Sequence, residues 1–381
     1  MSASTNRLNL RYLASNQPLS LAFLTVLAIV LFSVVTAITG IYNAQQAALA
    51  DRWSSRGTTD LAARRYPPAV NDYRTALLYA RDDASYELHL AQALIGEGRY
   101  DEADAYLTSL WERHPEDGEV NLAMARIAAD KSETNDAIRY YHNAIYAVWP
   151  ADHERERETA RFELIDLLLR NHANAQAESE LIALAANLGD DPAERAHAGE
   201  LFLAVQDNDH AFTEFRMSLS ANPRIQDALS GAGRAAFGLA RYSEAAHYLR
   251  EAVEAAPNDA ASASLLRVAN RVLEMDPYRR GINATDRDRT VIEDFTVAGA
   301  RLDVCNELAG SSPLMPWQTL RQDWTNLKPR VTPGGLRQDP DRVQAAMSMI
   351  FNIEHETAGA CGLPTEADTA LQLVANLREG S

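Results

Sequence analysis

Residues 226–259 read QDALSGAGRAAFGLARYSEAAHYLREAVEAAPND, and this stretch decides the fold. Small residues, Gly233 and Ala245, stand at its eighth and twentieth positions, and bulky Leu249 stands at its twenty-fourth. Pro257 stops a helix, because proline has no N–H to donate and clashes with the preceding turn. The spacing predicts two helices, A and B, that approach closely through their small residues and are joined by a tight turn.

The same pattern returns with a period of 34 residues. Three copies run without a gap from residue 50 to residue 151, and residues 152–157 (ADHERE) then interrupt the period. A divergent copy, two more regular copies and an apolar helix ending at Pro277 follow. Such a unit cannot bury its apolar face alone, so the copies are expected to stack into a solenoid. Every copy has alanine at its twentieth position: Ala69, Ala103, Ala137, Ala177, Ala211 and Ala245.

These positions together resemble the tetratricopeptide repeat (TPR) family. That family has small residues at positions 8, 20 and 27, an aromatic residue at 17 or 24, and proline near 32. The resemblance covers about 210 residues, and it implies an all-α TPR solenoid over residues 50–277, with about six repeats and a capping helix. It also implies a non-enzymatic scaffold for protein partners.

In this family helix A lines the inner surface, and its positions 5, 9 and 12 most often touch the bound segment. The lining mixes apolar residues with charges of both signs, which suits an extended or helical protein segment with apolar anchors. The alternative is that each apolar residue simply packs between helices. The groove residues implied are Leu88, Gln92, Leu122, Arg126, Phe162, Asp166, Glu200, Leu203, Arg234 and Phe237.

An apolar run precedes the repeats. Residues 19–41 read LSLAFLTVLAIVLFSVVTAITGI, and no charged residue occurs between Tyr12 and Ala50. A membrane-spanning helix needs about 20 apolar residues, so a transmembrane helix is predicted over 18–41, with residues 19–41 in contact with lipid. A cleaved signal peptide is the alternative, because Ala48-Leu49-Ala50 resembles a cleavage site.

Orientation follows from charge. Arg7 and Arg11 favour a cytoplasmic segment 1–17, which would place the bulk of the chain outside the inner membrane of a bacterial cell envelope. The reverse orientation would make the protein a cytoplasm-facing adaptor. The chain carries a net charge of −17, most of it on the repeats, which argues against nucleic acid as a partner.

Residues 278–381 do not keep the period. A polar linker over 278–289, a helix over 290–308, a Pro/Gly-rich loop with one short helix over 311–340 and two final helices are predicted. Cys305 and Cys361 form either one disulfide or two free thiols.

No catalytic or metal-binding motif stands out. The adjacent residues Glu354, His355 and Glu356 point to different sides of a helix, so they cannot chelate a metal together. No metal, cofactor or small-molecule substrate is expected. An enzyme with its site in residues 278–381 is kept as a third hypothesis.

Overall fold

The computed structural model describes residues 17–147, 149, 154–309, 316–358 and 360–379. Within these ranges the chain is all-helical and has no strand, which confirms the predicted class. The segment expected to be cytoplasmic lies almost wholly outside the described residues. The described residues divide into two compact units, with the boundary between Leu167 and Leu168.

The first unit begins with α1, which contains the apolar run, and continues with helix pairs. Its helices are α1 (Gln17–Ala62), α2 (Tyr66–Tyr79), α3 (Ala84–Gly96), α4 (Tyr100–Arg113), α5 (Gly118–Asp130), α6 (Thr134–Tyr146) and most of α7 (Glu154–Arg170).

The second unit contains the later helix pairs, the capping helix α13 and the C-terminal helices. Its helices are α8 (Asn174–Ala185), α9 (Pro192–Ala204), α10 (Asn208–Ala221), α11 (Gln226–Gly238), α12 (Tyr242–Ala255), α13 (Ala260–Met275), α14 (Ala284–Ala309), α15 (Pro316–Leu327), a 3-10 turn (Lys328–Arg330), α16 (Pro333–Gln338), α17 (Asp341–Thr357) and α18 (Glu366–Glu379).

Helix A of every repeat ends in a left-handed residue at position 15. In the second repeat this residue is Gly98, with φ 77°. The Gly98 N–H donates to the Ile95 carbonyl at 2.9 Å, and the Arg99 N–H donates to the Leu94 carbonyl at 2.9 Å. This pair of bonds satisfies carbonyls that the end of a helix would otherwise leave open. The same two bonds and a positive φ occur at Arg64, Ser132, His172, Gln206 and Ala240.

Position 8 packs directly against position 24 of the same repeat. A Cβ atom added at Gly233 would lie 2.5 Å from Leu249 Cγ, and one added at Gly199 would lie 2.8 Å from the Phe215 ring. The alanine at position 20 is fully buried in all six repeats. The predicted register is therefore confirmed, including the divergent copy at 158–191.

The apolar run and the first helix A form one uninterrupted helix, α1, of 46 residues. The polar stretch from Tyr42 to Ala48 does not end it, because this stretch is mostly alanine and glutamine, which favour helix. Among the described residues, α1 is the one helix long and apolar enough to cross a membrane. Its apolar side chains are exposed from Leu21 to Ile41.

The expected linker over 278–289 is wrong in its second half. Helix α14 begins at Ala284, six residues before the predicted start. The reason is an N-cap: the Asn283 Oδ1 accepts a hydrogen bond from the Asp286 N–H at 2.9 Å.

The expected loop over 311–340 is also wrong for most of its length. Residues 316–327 and 333–338 are helical, and residues 310–315 lie outside the described ranges. Pro316 and Pro333 begin helices, where the missing N–H costs nothing. Trp324 holds this segment in place: its indole N–H donates to the Phe295 carbonyl at 2.9 Å, and its ring stacks on the Phe295 ring at 5.3 Å.

The C-terminal helices share a hydrophobic core with the end of the solenoid. Tyr242 of the last repeat and Val272 and Met275 of the capping helix belong to this core. It continues through α14, α17 and α18, so these helices cover the last apolar face of the repeats. The buried members from these helices include Val291, Phe295, Leu302, Cys305, Met347, Ile350, Ile353, Cys361, Leu371 and Val374.

Gly233→Leu is expected to lower stability, because the new side chain would overlap Leu249. Overpacking of this kind typically costs about 1–3 kcal/mol, which thermal unfolding of the full chain in detergent measures. Gly334→Leu is the matched control, since a Cβ at Gly334 meets no atom within 4 Å. Equal melting of Gly233→Leu and the parent would show that the register is wrong.

Gln206→Gly is expected to raise stability by about 1 kcal/mol, because glycine adopts positive φ without the steric cost of a side chain. Gln206 is exposed and has φ 67°, so the substitution removes little packing. The control is Gln344→Gly at an exposed site inside α17, where glycine should cost about the same amount. If Gln206→Gly and Gln344→Gly changed stability in the same direction, the effect would not be specific to the turn.

Candidate functional site

The sequence-predicted groove residues of the first unit lie at different depths. Leu88 and Leu122 are each only 5% exposed, and Leu88 belongs to the core of this unit. Gln92 and Arg126 are half-buried, as are Phe162 and Asp166 on α7. In the second and third repeats the polar residue at position 9 is therefore more accessible than the leucine at position 5.

One cavity of about 370 Å³ brings three of these residues together. Gln92, Leu122 and Arg126 line it alongside a residue that sequence reasoning did not select, Trp149. The remaining lining is polar and comes from the first turns of helices A and from α7. It consists of His89, Glu119, Glu156 and Thr159. We refer to this cavity as the Trp149 pocket.

Trp149 is fixed by its surroundings. Its indole N–H donates to the Ala144 carbonyl at 2.7 Å, and the side chain is 7% exposed. The ring lies against Gly118, where an added Cβ would come within 2.4 Å of Trp149 Cε2. Its place at position 32 of the third repeat was the available signal, since a tryptophan stands there close to where the family has proline.

Arg126 is held in place by a carboxylate. Its Nε donates to Glu163 Oε2 at 2.9 Å and its Nη2 donates to Glu163 Oε1 at 2.8 Å. The Tyr141 hydroxyl also donates to Glu163 Oε2, at 3.1 Å. A two-point bond of this kind fixes the plane of the guanidinium, so the pocket presents a preorganised charged wall.

His89 is positioned by the position-24 aromatic of the preceding repeat. The His89 and Tyr73 rings stack with their centroids 5.4 Å apart. The Tyr73 hydroxyl lies 3.0 Å from Thr58 Oγ1, and burial raises the pKa of Tyr73. Tyr73, the position-24 residue of the first repeat, therefore supports one side of the Trp149 pocket.

In the second unit the position-9 residues pair with each other. Arg234 forms an ion pair with Glu200, one repeat earlier. Leu203 is half-buried, and the Phe237 ring packs edge-on against the Tyr242 ring at 5.2 Å. The structure thus brings Glu200 and Arg234 together, while Phe237 also packs against the C-terminal core.

The two cysteines are joined in the C-terminal region. A disulfide links Cys305 near the end of α14 to Cys361 in the turn before α18, and both residues are buried. Thr365 and Asp368 form a capping box at the start of α18: the Asp368 N–H donates to Thr365 Oγ1 at 3.2 Å and the Thr365 N–H donates to Asp368 Oδ2 at 2.8 Å.

The tetratricopeptide repeat family model matches residues 60–127. This segment runs from the end of the first helix A into the third, and the later repeats have the same turns and the same packing. The matched segment is therefore similar to tetratricopeptide repeats, and the described helix pairs before and after it form a solenoid of the same kind of unit.

Solved structures with a similar fold are distant. YrrB, "a TPR protein with an unusual peptide-binding site", has 16% identity and a TM-score of 0.42, covering 51% of this chain and 97% of its own. PilF from Pseudomonas aeruginosa has 15% identity and a TM-score of 0.45, covering 58% and 99%.

A TPR protein fragment from Cytophaga hutchinsonii has 12% identity and a TM-score of 0.44, covering 81% of this chain and 99% of its own. Identity and TM-score are too low for these likenesses to say anything about function. No curated protein matches the chain significantly in sequence.

Proposed function

We propose that this protein is a membrane-anchored scaffold that binds a protein segment on the concave face of its repeats, in the bacterial cell envelope. The observation that carries the proposal is the Trp149 pocket. Gln92, Leu122 and Arg126, which stand at the helix-A positions expected to touch a bound segment, line this one cavity together. The scaffold would recruit its protein partners for assembly, for secretion or in a chaperone-like role.

The pocket has the composition of a peptide site. Trp149 and Leu122 offer apolar surface for one anchoring side chain. Around them, Gln92, His89 and the Arg126–Glu163 pair offer donors and acceptors that would fix the orientation of a bound backbone. Recognition sites commonly combine an apolar floor with a few well-placed polar groups.

Helix α1 supports the membrane anchor. The hydroxyls within the apolar run bond back to carbonyls one turn earlier, as Thr25 does to Leu21 and Thr39 does to Val35, both at 2.8 Å. Hydroxyls bonded in this way need no water, which a bilayer core does not supply. Because α1 continues into the first repeat, the anchor would hold the solenoid directly rather than through a flexible linker.

Two features support an orientation with the repeats outside the cytoplasm. Arg7 and Arg11 precede the apolar run, and positive charge favours the cytoplasmic side. The Cys305–Cys361 bridge belongs to oxidising compartments, because cytosolic thiols are kept reduced. In the chain-entropy model, closing the loop between Cys305 and Cys361 stabilises the fold by about 4 kcal/mol, apart from any strain in the bridge.

A reporter fused after Ser381 and active only outside the cytoplasm is expected to be active. The same cells should yield protein that stays membrane-bound in carbonate and whose cysteines do not react with a thiol label when it is denatured without reductant. A soluble chain starting near Asp51 would indicate a cleaved signal peptide. An inactive reporter together with two free thiols would indicate the cytoplasm-facing adaptor instead.

Exchanging the ion pair of the pocket is expected to reduce partner capture several-fold. The double variant Arg126→Glu/Glu163→Arg keeps one positive and one negative charge and so avoids two facing carboxylates, which Arg126→Glu alone would create. Capture is measured with a photo-crosslinking residue at position 92 in intact cells, and circular dichroism reports helical content.

The matched control is Arg113→Glu/Glu87→Arg, which exchanges an ion pair outside the Trp149 pocket. The control should give as much crosslinked product as the parent, whereas Arg126→Glu/Glu163→Arg should give less. If both variants capture equally, the partner binds the convex side or the C-terminal region.

A further inference from the structure

A cavity of about 760 Å³ lies in the second unit, where the last repeat meets the capping helix. This volume is within the range of about 300–1,000 Å³ that is usual for ligand sites. Its wall combines the first turn of α12, which begins at Tyr242, with the C-terminal end of α13 and with Leu377 of α18. We refer to it as the Tyr242 cavity, and it shares no lining residue with the Trp149 pocket.

Tyr242 is a buried side chain whose hydroxyl group has no hydrogen-bond partner among the described residues. The residue is 5% exposed, and its ring packs edge-on against the Phe237 ring. Burial raises the pKa of Tyr242, so its hydroxyl group stays protonated and can donate. Unlike the Trp111 indole nitrogen, the hydroxyl oxygen is not fully enclosed, so the small exposed part of Tyr242 includes its one polar side-chain atom. Because Tyr242 lines the cavity, a donor without an acceptor is open to it.

The first turn of α12 adds backbone donors to the same wall. No side chain caps this helix, and the N–H groups of Tyr242, Ser243 and Glu244 have no acceptor among the described residues. The first N–H groups of a helix carry a partial positive charge and attract anions. All three residues line the Tyr242 cavity, so an anion there would meet the positive end of α12.

Arg279 adds a fixed positive charge at the end of α13. Its Nη1 donates to the carbonyls of Leu273 and Glu274, at 2.5 and 3.0 Å, and both of these residues line the cavity. These bonds place the guanidinium group at the cavity wall, while its Nε and Nη2 bond to no other described residue. Arg280 also lines the cavity, and it is exposed and forms no ion pair with the described residues. Both guanidinium groups therefore have donors left for an anion.

Acidic and basic side chains balance in the lining of the Tyr242 cavity. Two of the carboxylates are already engaged: Glu274 pairs with Arg271 at 3.1 Å, and Asp276 Oδ1 accepts the Tyr278 N–H at 2.9 Å. The cost of taking an anion out of water grows with the square of its charge, whereas its attraction to the lining grows only in proportion. A balanced lining therefore favours one negative charge over a dianion such as phosphate. The charged lining residues are Arg241, Arg279, Arg280, Glu244, Glu274 and Asp276.

We propose that the Tyr242 cavity binds an organic carboxylate with a short aliphatic body. The carboxylate would accept hydrogen bonds from the first turn of α12, the Tyr242 hydroxyl group and an arginine, because bonds to an ionised group are the strong ones. The aliphatic body would lie against Leu273 and Leu377, and the half-buried Asn270 offers its amide to a neighbouring polar group. Such a ligand is a free carboxylic acid or the C-terminal residue of a peptide. The site does not depend on the proposed function of the Trp149 pocket.

The probe is N-acetyl-leucine, titrated by calorimetry into the full chain in detergent. N-acetyl-leucinamide has the same body without the charge and should not bind. Inorganic phosphate should bind at least tenfold more weakly than N-acetyl-leucine, and equal binding would contradict the assignment of a carboxylate. The peptide acetyl-Ala-Ala-Leu separates the two sources. Tighter binding than N-acetyl-leucine identifies a chain end, whereas equal or weaker binding identifies a free acid.

Tyr242→Phe removes only the hydroxyl group and should weaken binding of N-acetyl-leucine about tenfold, as loss of a hydrogen bond to a charged group does. Its thermal stability should change little, because the hydroxyl group has no partner within the described part of the protein. Tyr278→Phe is the matched control, since it removes a hydroxyl group outside the cavity lining, and it should bind like the parent. A loss of stability without a loss of binding in Tyr242→Phe would show that the hydroxyl group is structural.

Ser243→Glu places a carboxylate in the first turn of α12, where the ligand's own carboxylate would lie. It should abolish binding while thermal stability is kept or raised, because an acidic residue there favours the helix. The groove variant Arg126→Glu/Glu163→Arg should bind N-acetyl-leucine normally, so that failure of this site and failure of the proposed groove are distinguishable. Equal binding by Tyr242→Phe and the parent, or no binding of either carboxylate by the parent, would overturn the proposal and leave Tyr242 as a packing residue.

Discussion

The left-handed turn at position 15 is the constraint on which the rest of the structure depends. It reverses the chain after each helix A, so that helix B returns along it and position 8 meets position 24. The carbonyls of the last turn are satisfied by the same two backbone bonds each time, whether the residue is Gly98, Ala240 or His172. Five of the six residues carry a side chain in a region that disfavours it, at about 1–2 kcal/mol each. Packing of the small position-8 and position-20 residues against helix B offsets that cost.

The proposed binding pocket and the C-terminal core lie where this regularity ends. Trp149 follows the third helix B, just before residues that do not keep the period, and its ring covers Gly118 beside the position-9 residues. At the other end, the capping helix and α14 to α18 close the last apolar face with a core that the Cys305–Cys361 bridge fastens. Regular repeats thus supply a rigid frame, and the irregular segments supply the chemically distinctive sites.

Arg126 and Glu354 show how the surroundings of an ionisable side chain change its role. Arg126 is paired with Glu163 through two hydrogen bonds and so keeps a fixed orientation at the surface of its pocket. Glu354 has no such donor among the described residues, and its pKa rises to about 8 because it is buried. The Arg126–Glu163 pair therefore organises a surface, whereas the carboxyl group of Glu354 is largely protonated near neutral pH.

The sequence by itself determined the architecture. A 34-residue spacing of Gly, Ala and bulky residues fixes two helices and a turn in each unit, since only small residues allow the helices to approach, and the apolar composition of 19–41 fixes one long exposed helix. Tertiary structure alone decided which residues meet. Trp149 stands near a position where the repeats usually have proline, so the pattern does not predict that its ring packs on Gly118 at the start of the same repeat. The burial of Glu354 likewise depends on α18 packing across α17, and the polar string Glu354-His355-Glu356 gives no local sign of it. The repeat period predicts contacts that recur along the chain. The contacts of Trp149 and Glu354 each occur once, so only the folded structure reveals them.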